Sequence, residues 1–311
     1  MSVDRDHGHD VEPPRLEEVS DGVFAWLQLH GQWGLNNAAF LVGSDAVTLV
    51  DTCFTVKRAG WFLDAIRGVT DKPHRVLLNT HHHGDHTYGN FLVKGATIIG
   101  HRVTREEMIS TGLSTQKLFQ DGVDWGDIEI APPFVTFEDR LSVFVDDLEV
   151  QAELVGPAHT TNDVVYHVPD RKLLFAGDVA FNGGTPFVLM GSVQGSLDAY
   201  ERLAGLDVET VVPGHGAVCD PSVFDRMAGY LRWIQELGRD AEASDTPPLE
   251  AARSVELGEY ADWHDSERIV ANIHRALSEL RGEPLGVELQ LGPIIADMVA
   301  YNGGRPLQCL A

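Results

Sequence analysis

The stretch Leu77–Asn90 reads LLNTHHHGDHTYGN. Apolar residues lead into four histidines and an aspartate packed within six positions, His81 to His86. The preceding HRVLLNT has the pattern of a buried strand, so the cluster occupies the turn from that strand into a helix. His81 and His83 alternate on an extended backbone and point the same way. Asp85 and His86 follow one turn later and can converge from the side. Neutral imidazole and carboxylate are the ligands that a borderline metal such as zinc prefers. His82 alternates to the opposite side, where packing or a hydrogen bond is expected of it.

One such cluster cannot close the shell of two metals, so further ligands are expected downstream. GPAHTTND places His159 just after LEVQAELV, LLFAGD ends on Asp178, and VVPGHG carries His215. Each is a polar residue ending a hydrophobic strand, where a site on a sheet edge is built. A lone strand-end Asp or His is ordinarily a turn former or a satisfied group. The order of the three behind the cluster singles them out.

The surrounding pattern alternates strands and helices. GVFAWLQL and NNAAFLVG read as strands joined by the turn HGQWG, and AVTLVDT as a strand covered on both faces. VKRAGWFLDAIRGV, VTREEMISTGL and LDAYERLAGL have helical spacing. Ser114–Pro133 reads as a long irregular excursion. LSVFV, LEVQAEL, DVVYHV, KLLFAGD and TVVPGHG resume the strands. PSVFDRMAGYLRWIQELGRDAEA, DSERIVANIHRALSELRG and Val287–Tyr301 read as helices. The two batches of strands each end at candidate ligands, which suggests two sheets meeting edge to edge over one site. Residues 1–14, with His7 and His9, read as a loose tail, and 15–311 as a single domain whose 221–311 portion is mostly helical.

The chain has 311 residues, 23 Lys and Arg against 47 Asp and Glu, and a formal charge of −24. That charge disfavours nucleic acid or an anionic membrane as the main partner. No apolar run is long enough to cross a bilayer, and the N-terminus lacks the apolar centre of a secretory signal. Cys53, Cys219 and Cys309 are too few and scattered for a disulfide framework, and are expected to be small buried hydrophobes. A cytoplasmic setting is the expectation.

Taken together, THHHGDH, GPAHT, FAGD and PGHG resemble the motifs of the metallo-β-lactamase-fold hydrolase superfamily, over Asn79–Gly216. The resemblance implies an α/β fold: a four-layer αββα sandwich, its two sheets face to face and a dinuclear site at their shared edge, here with extra C-terminal helices. It implies two zinc ions. His81, His83 and His159 would hold the first, Asp85, His86 and His215 the second, and Asp178 would bridge them. Asp51, ending TLVD, matches an acid that orients the ligand loop. Two cations so placed acidify a shared water from about 15.7 towards neutrality and polarise a carbonyl under attack. Asp85 is the candidate catalytic group, able to hold a metal and accept a proton. A zinc β-lactamase of the commonest subclass would carry Cys where Asp178 stands, which argues against antibiotic hydrolysis.

DGVDWGDIEIAPPFVTFEDRL, LFAGDVAFNGGTPFVLMGSV, YLRWIQELGRDA, ERIVANIHRAL and AYNGGRPLQCLA look like the second-ring cyclases of bacterial aromatic polyketide pathways, of the actinorhodin type. That resemblance implies a cyclase and thioesterase acting on a polyketide thioester tethered to an acyl carrier protein. Ring closure would be an aldol condensation, and release a thioester hydrolysis. Trp33, Trp125, Phe181 and Phe187 are candidates to line an apolar pocket, with Met190 and Phe119 behind them. Lys57 and Arg58, or Arg102 and Arg105, are candidates for a basic rim facing an acidic carrier. The alternatives are a glyoxalase-II-like thioester or ester hydrolase with a small substrate, and a non-catalytic metal-binding protein. Self-association is left open.

Overall fold

The computed structural model describes residues 12–119 and 122–311. Most of the expected tail, including His7 and His9, lies outside the described residues.

Two mixed sheets carry the fold. The first has seven strands in chain order: β1 (Arg15–Ser20), β2 (Val23–Leu27), β3 (Ala38–Val42), β4 (Val47–Val50), β5 (His74–Leu78), β6 (Thr97–His101) and β7 (Val135–Phe137). Neighbours are antiparallel from β1 to β4 and parallel from β4 to β7. The second has five: β8 (Arg140–Val145), β9 (Leu148–Leu154), β10 (Val164–Val168), β11 (Leu173–Asn182) and β12 (Thr210–Gly216), with only β11 and β12 parallel. The helices are α1 (Val56–Val69), α2 (Gly84–Thr87), α3 (Arg102–Thr111), α4 (Val193–Leu203), α5 (Ser222–Ser244), α6 (Pro248–Arg253), α7 (Arg268–Leu280) and α8 (Leu291–Tyr301).

Alternation within strands decides the layering. Val23, Ala25, Leu41 and Val50 of the first sheet meet Val150, Val164, Tyr166 and Phe175 of the second in one buried core. The opposite face of the first sheet, with Phe40 and Leu49, takes Phe62 and Ile66 of α1. The opposite face of the second takes α4, α5 and α7. The result is helix, sheet, sheet, helix. The sheets therefore pack face to face, not edge to edge, because both have an apolar inner face that only the other can cover. Each large side chain so buried contributes about 1.5–3 kcal/mol.

Local chemistry sets the boundaries. Thr55 Oγ1 accepts the Arg58 amide and opens α1, whose Ala59, Phe62, Leu63 and Ile66 form the buried stripe. Ser192 Oγ caps α4 the same way through the Gly195 amide. The last of the expected helices starts only at Leu291, which leaves Pro293 in the first turn, where it breaks no bond. β1 and β7 were not expected. One is charged and the other three residues long, and both lie at sheet edges, where little apolar pattern is needed. Among its described residues, the excursion after α3 is irregular apart from a single turn at Ser114–Leu118.

Two groups of side chains tie distant segments to the site. Asn37 Nδ2 donates to the carbonyls of Pro213 and Gly216, at 2.9 and 2.7 Å, and so joins the first sheet to the end of β12. Arg275 of α7, fully buried, donates to the carbonyls of Leu189 and Val287 and fixes the C-terminal helices against the loop after β11. Among the described residues no helix is long and apolar enough to cross a membrane.

Candidate metal centre and its pocket

β5 runs out at Leu78 and delivers Asn79–His83 to the sheet edge, and α2 turns Asp85 and His86 back over it. His159 follows β9, Asp178 lies within β11, and His215 lies near the end of β12. The structure brings these seven side chains into two groups. His81, His83, His159 and Asp178 form one, and Asp85, His86, Asp178 and His215 the other, with the donor atoms in each within 4.8 Å of one another. Asp178 belongs to both: its Oδ2 lies 3.2 Å from His159 Nε2, and its Oδ1 lies 3.0 Å from His86 Nε2.

The donors are arranged for a cation. His159 Nδ1 donates to the Phe187 carbonyl, and His83 Nε2 donates to Met190 Sδ at 3.2 Å. On the tautomers these bonds dictate, His159 Nε2 and His83 Nδ1 face each other at 2.8 Å with both lone pairs inward. Such a pair is repulsive unless a positive charge sits between. His81 Nε2 is buried and makes no hydrogen bond, and His86 Nε2 and Asp178 Oδ1 are buried with a 3.0 Å ion-pair contact to each other. Orphaned buried atoms are costly unless another ligand completes them. Five imidazoles and two carboxylates, all turned inward, suit a metal of zinc's type.

The local field agrees. Burial, then the neighbouring imidazole His86, holds His81 well below the usual histidine range, and burial with His159 does the same for His83. Burial would lower His86 and His215 too. Asp178 and Asp85 outweigh it, raising His86 well above its ordinary value and pushing His215 up to about 9. Asp178 is held well below the carboxylate range, since His215, His86 and His159 overcome its burial. A carboxylate field that retains protons on His86 and His215 will also retain a divalent cation in their place, with the protons released.

Asp51 organises the ligand loop. Its carboxylate accepts the Thr80 amide at 2.8 Å, the Thr80 hydroxyl at 2.6 Å and His86 Nδ1 at 2.8 Å. His86 Nε2 is thereby left free to coordinate. Thr80 Oγ1 also lies 3.0 Å from His81 Nδ1. His82 turns away and bonds Asn162 Nδ2 through its Nδ1 at 3.0 Å, and burial lowers it to about 4. Gly214 has no room for a side chain, since a Cβ there would meet Asp178 Oδ1 at 2.0 Å. This accounts for the glycine before His215.

A pocket opens over the candidate metal donors. Its apolar lining includes Trp33, Phe54, Phe119, Phe181, Phe187 and Met190. Phe181 stacks on His215 at 5.2 Å. Trp125, the fourth aromatic expected to line the cavity, lies one layer back, its ring edge-on to Phe54 at 4.7 Å. The backbone dictates this, because the Trp125 carbonyl accepts the Val56 amide and fixes the segment behind α1. Sequence reasoning missed Arg268 and Glu267 at the start of α7. Arg268 lines the cavity, and Glu267 holds Trp33. Of the candidate basic rim, Arg58 is buried against Gln28 and the Leu310 carbonyl, Arg102 is paired with Glu106 and Glu138, Arg105 donates to the Pro133 carbonyl, and Lys57 Nζ lies over the Trp61 ring at 5.1 Å.

Comparison with known proteins places this architecture. The metallo-beta-lactamase superfamily model matches residues 31–215. The chain is 28% identical over 221 residues to the 2,4-dinitroanisole O-demethylase subunit alpha of Nocardioides sp. (strain JS1661), covering 67% of this chain and 60% of that one's length. It is 28% identical over 226 residues to the hydroxyacylglutathione hydrolase of Brucella anthropi, covering 68% of this chain and 72% of the relative. A metallo-beta-lactamase from Pontibacter korlensis superposes with a TM-score of 0.60 at 19% identity, covering 71% of this chain and 99% of that one, a likeness of fold. The extent of the family match, over more than half of the chain and all seven candidate metal donors, shows that the chain belongs to the metallo-beta-lactamase superfamily.

Proposed function

We propose that the protein is a metal-dependent hydrolase of acyl thioesters, with a pair of zinc ions held by the seven donors. The observation that carries this reading is the set of inward, otherwise unsatisfied donor atoms at the floor of an apolar cavity. Relatives named hydroxyacylglutathione hydrolase support the reaction class. Bound zinc supplies an acidified water and an electrophile for the thioester carbonyl.

The chain's own residues do the rest. His81, His83 and His159 turn ring nitrogens to one position, and Asp51 holds the His86 ring so that Nε2 faces the other. Asp85 Oδ2, 3.3 Å from His215 Nε2, is the least buried of the carboxylates and can accept a proton from the attacking water. The aromatic lining excludes bulk water and takes the acyl group.

A second reading is favoured by that lining: a cyclase and thioesterase acting on a carrier-tethered polyketide. Among the described lining residues Arg268 is the only Lys or Arg, and it is paired with Asp265 at 2.7 Å. A glutathione thioester brings two carboxylates, which this cavity has no free guanidinium or ammonium to meet. A flat, enolisable acyl chain suits it better, and groups that stabilise a tetrahedral oxyanion also stabilise an enolate. The test is turnover of a bicyclic aromatic thioester against a glutathione thioester, each with and without chelator. The reading expects faster, chelator-sensitive release from the aromatic substrate, with a cyclised free acid if the chain is a cyclase. Faster turnover of the glutathione thioester sinks the polyketide reading, and chelator-insensitive release sinks both.

A further inference from the structure

The start of α7 enters the cavity from the far end of the chain. Glu267 Oε1 accepts the indole N–H of Trp33 at 2.7 Å, across 234 positions of sequence. The Arg268 guanidinium lies 3.8 Å from the centroid of the same ring. Its terminal nitrogens are fixed by Asp265 at 2.7 Å and by the Thr185 carbonyl at 2.9 Å. Phe187 and Phe119 meet the indole edge-on at 5.1 and 5.8 Å. The Leu310 amide donates to the Trp33 carbonyl at 3.0 Å.

Trp33 lies in a turn whose Gly31 and Gly34 both take positive φ, Gly31 against the backbone of His215 and Gly216 at the end of β12 and Gly34 against Phe54 and Cys309. Glu267 stands at the boundary of α7, yet its side chain makes no capping bond. Arg268 is 1% exposed and its Nε has no partner, while Asp265 and the Thr185 carbonyl hold its terminal nitrogens so that the guanidinium lies against the indole.

We propose that Glu267 and Arg268 are positioning residues that lock Trp33 as a fixed wall of the cavity, and so set a preference for flat aromatic acyl groups over short aliphatic ones. A wall held rigid before binding spares the ordering cost that a mobile indole would impose on each substrate. The specificity part of this proposal rests on the thioesterase reading above.

The test uses the metal-loaded protein with Glu267→Ala, Glu267→Asp, which is too short to reach the indole, and Glu267→Gln, whose amide oxygen still accepts its N–H. Three quantities are measured: binding of 2-naphthoic acid, the ratio of kcat/KM for naphthoyl and acetyl thioesters of N-acetylcysteamine, and acrylamide quenching of Trp33. The Trp33 component is taken by difference from Trp33→Phe, since the chain has six tryptophans. The Ala and Asp variants are expected to bind naphthoate about tenfold more weakly, to lower the naphthoyl preference about tenfold and to double Trp33 quenching. The Gln variant is expected to stay within about threefold of the parent. Unchanged quenching, or Ala and Gln variants that behave alike, overturns the clamp. Doubled quenching with an unchanged preference overturns its role in specificity. If the parent hydrolyses neither thioester, the thioesterase reading fails, and naphthoate binding with quenching still decides the clamp.

Discussion

Asp51→Asn is the most informative single change near the donors. Asp51 sits at φ +56° and is 2% exposed, a backbone position that Asn also tolerates. The substitution therefore changes chemistry without adding strain. One carboxylate oxygen takes the Thr80 amide, and the other takes the Thr80 hydroxyl and His86 Nδ1. An amide can match only one of those sides. With its NH2 towards His86, the imidazole proton must move to Nε2, the atom that faces Asp178 Oδ1 at 3.0 Å. With its NH2 towards the Thr80 amide, two donors face each other. The second arrangement leaves a buried donor unsatisfied, at about 1–3 kcal/mol of stability, and the first puts a proton, accepted by Asp178, on the nitrogen meant to coordinate. Loss of a partner that orients a ligating histidine typically costs about 10–100-fold in metal affinity, or about 1.4–2.7 kcal/mol. Chelator competition for zinc, with thermal unfolding of the chelated protein, reads both quantities. Zinc affinity within about twofold of the parent would refute the argument that Asp51 acts through His86.

Other changes probe the frame. Gly214→Ala would set a methyl 2.0 Å from Asp178 Oδ1 and 2.6 Å from the Gly177 backbone. The carboxylate is expected to be displaced and both metal positions weakened by about tenfold or more, read by the same competition. Asp265 is pushed up to about 6 by burial, with Arg268 opposing. A folded pKa above the unfolded value means stability is present at low pH and lost as pH rises through about 6. The unfolding free energy of the parent minus that of Asp265→Asn should therefore be larger at pH 4.5 than at pH 7, by about 2 kcal/mol. A flat difference across that range refutes the shift. Phe181→Ala removes the ring stacked on His215 and is expected to cost about 3–5 kcal/mol of stability. Urea unfolding measures it, and a loss below about 1 kcal/mol would place that ring outside the packed core.

What could be read from the chain, and what could not, divides along physical lines. The convergence of His81, His83, Asp85, His86, His159, Asp178 and His215 was legible because the cluster and His159 follow strands and His215 lies near a strand end, and strand ends gather at a sheet edge, although Asp178, expected to end its strand, lies within β11. The sandwich was legible in the motif order, whereas strand batches alone suggested the wrong meeting of the sheets. Asn162 and Thr80 stood beside the motifs, but nothing in their spacing showed that one would bond His82 and the other Asp51. Glu267 and Arg268 were illegible: on an amphipathic helix start they read as solvated charge, and only long-range packing turns them onto Trp33. Arg58 failed as a basic rim for the same reason, since Gln28 and the Leu310 carbonyl draw it inward. Trp125 misled because an aromatic in an irregular segment carries no sign of which layer it faces.

The central claim is that seven inward donors hold a metal pair. Metal content per chain, measured on protein purified without chelator and compared with Asp178→Ala, tests it directly. The account predicts about two zinc-type ions per parent chain and a loss of at least half of them in the variant. Fewer than about one ion per parent chain, or full retention without Asp178, would contradict it.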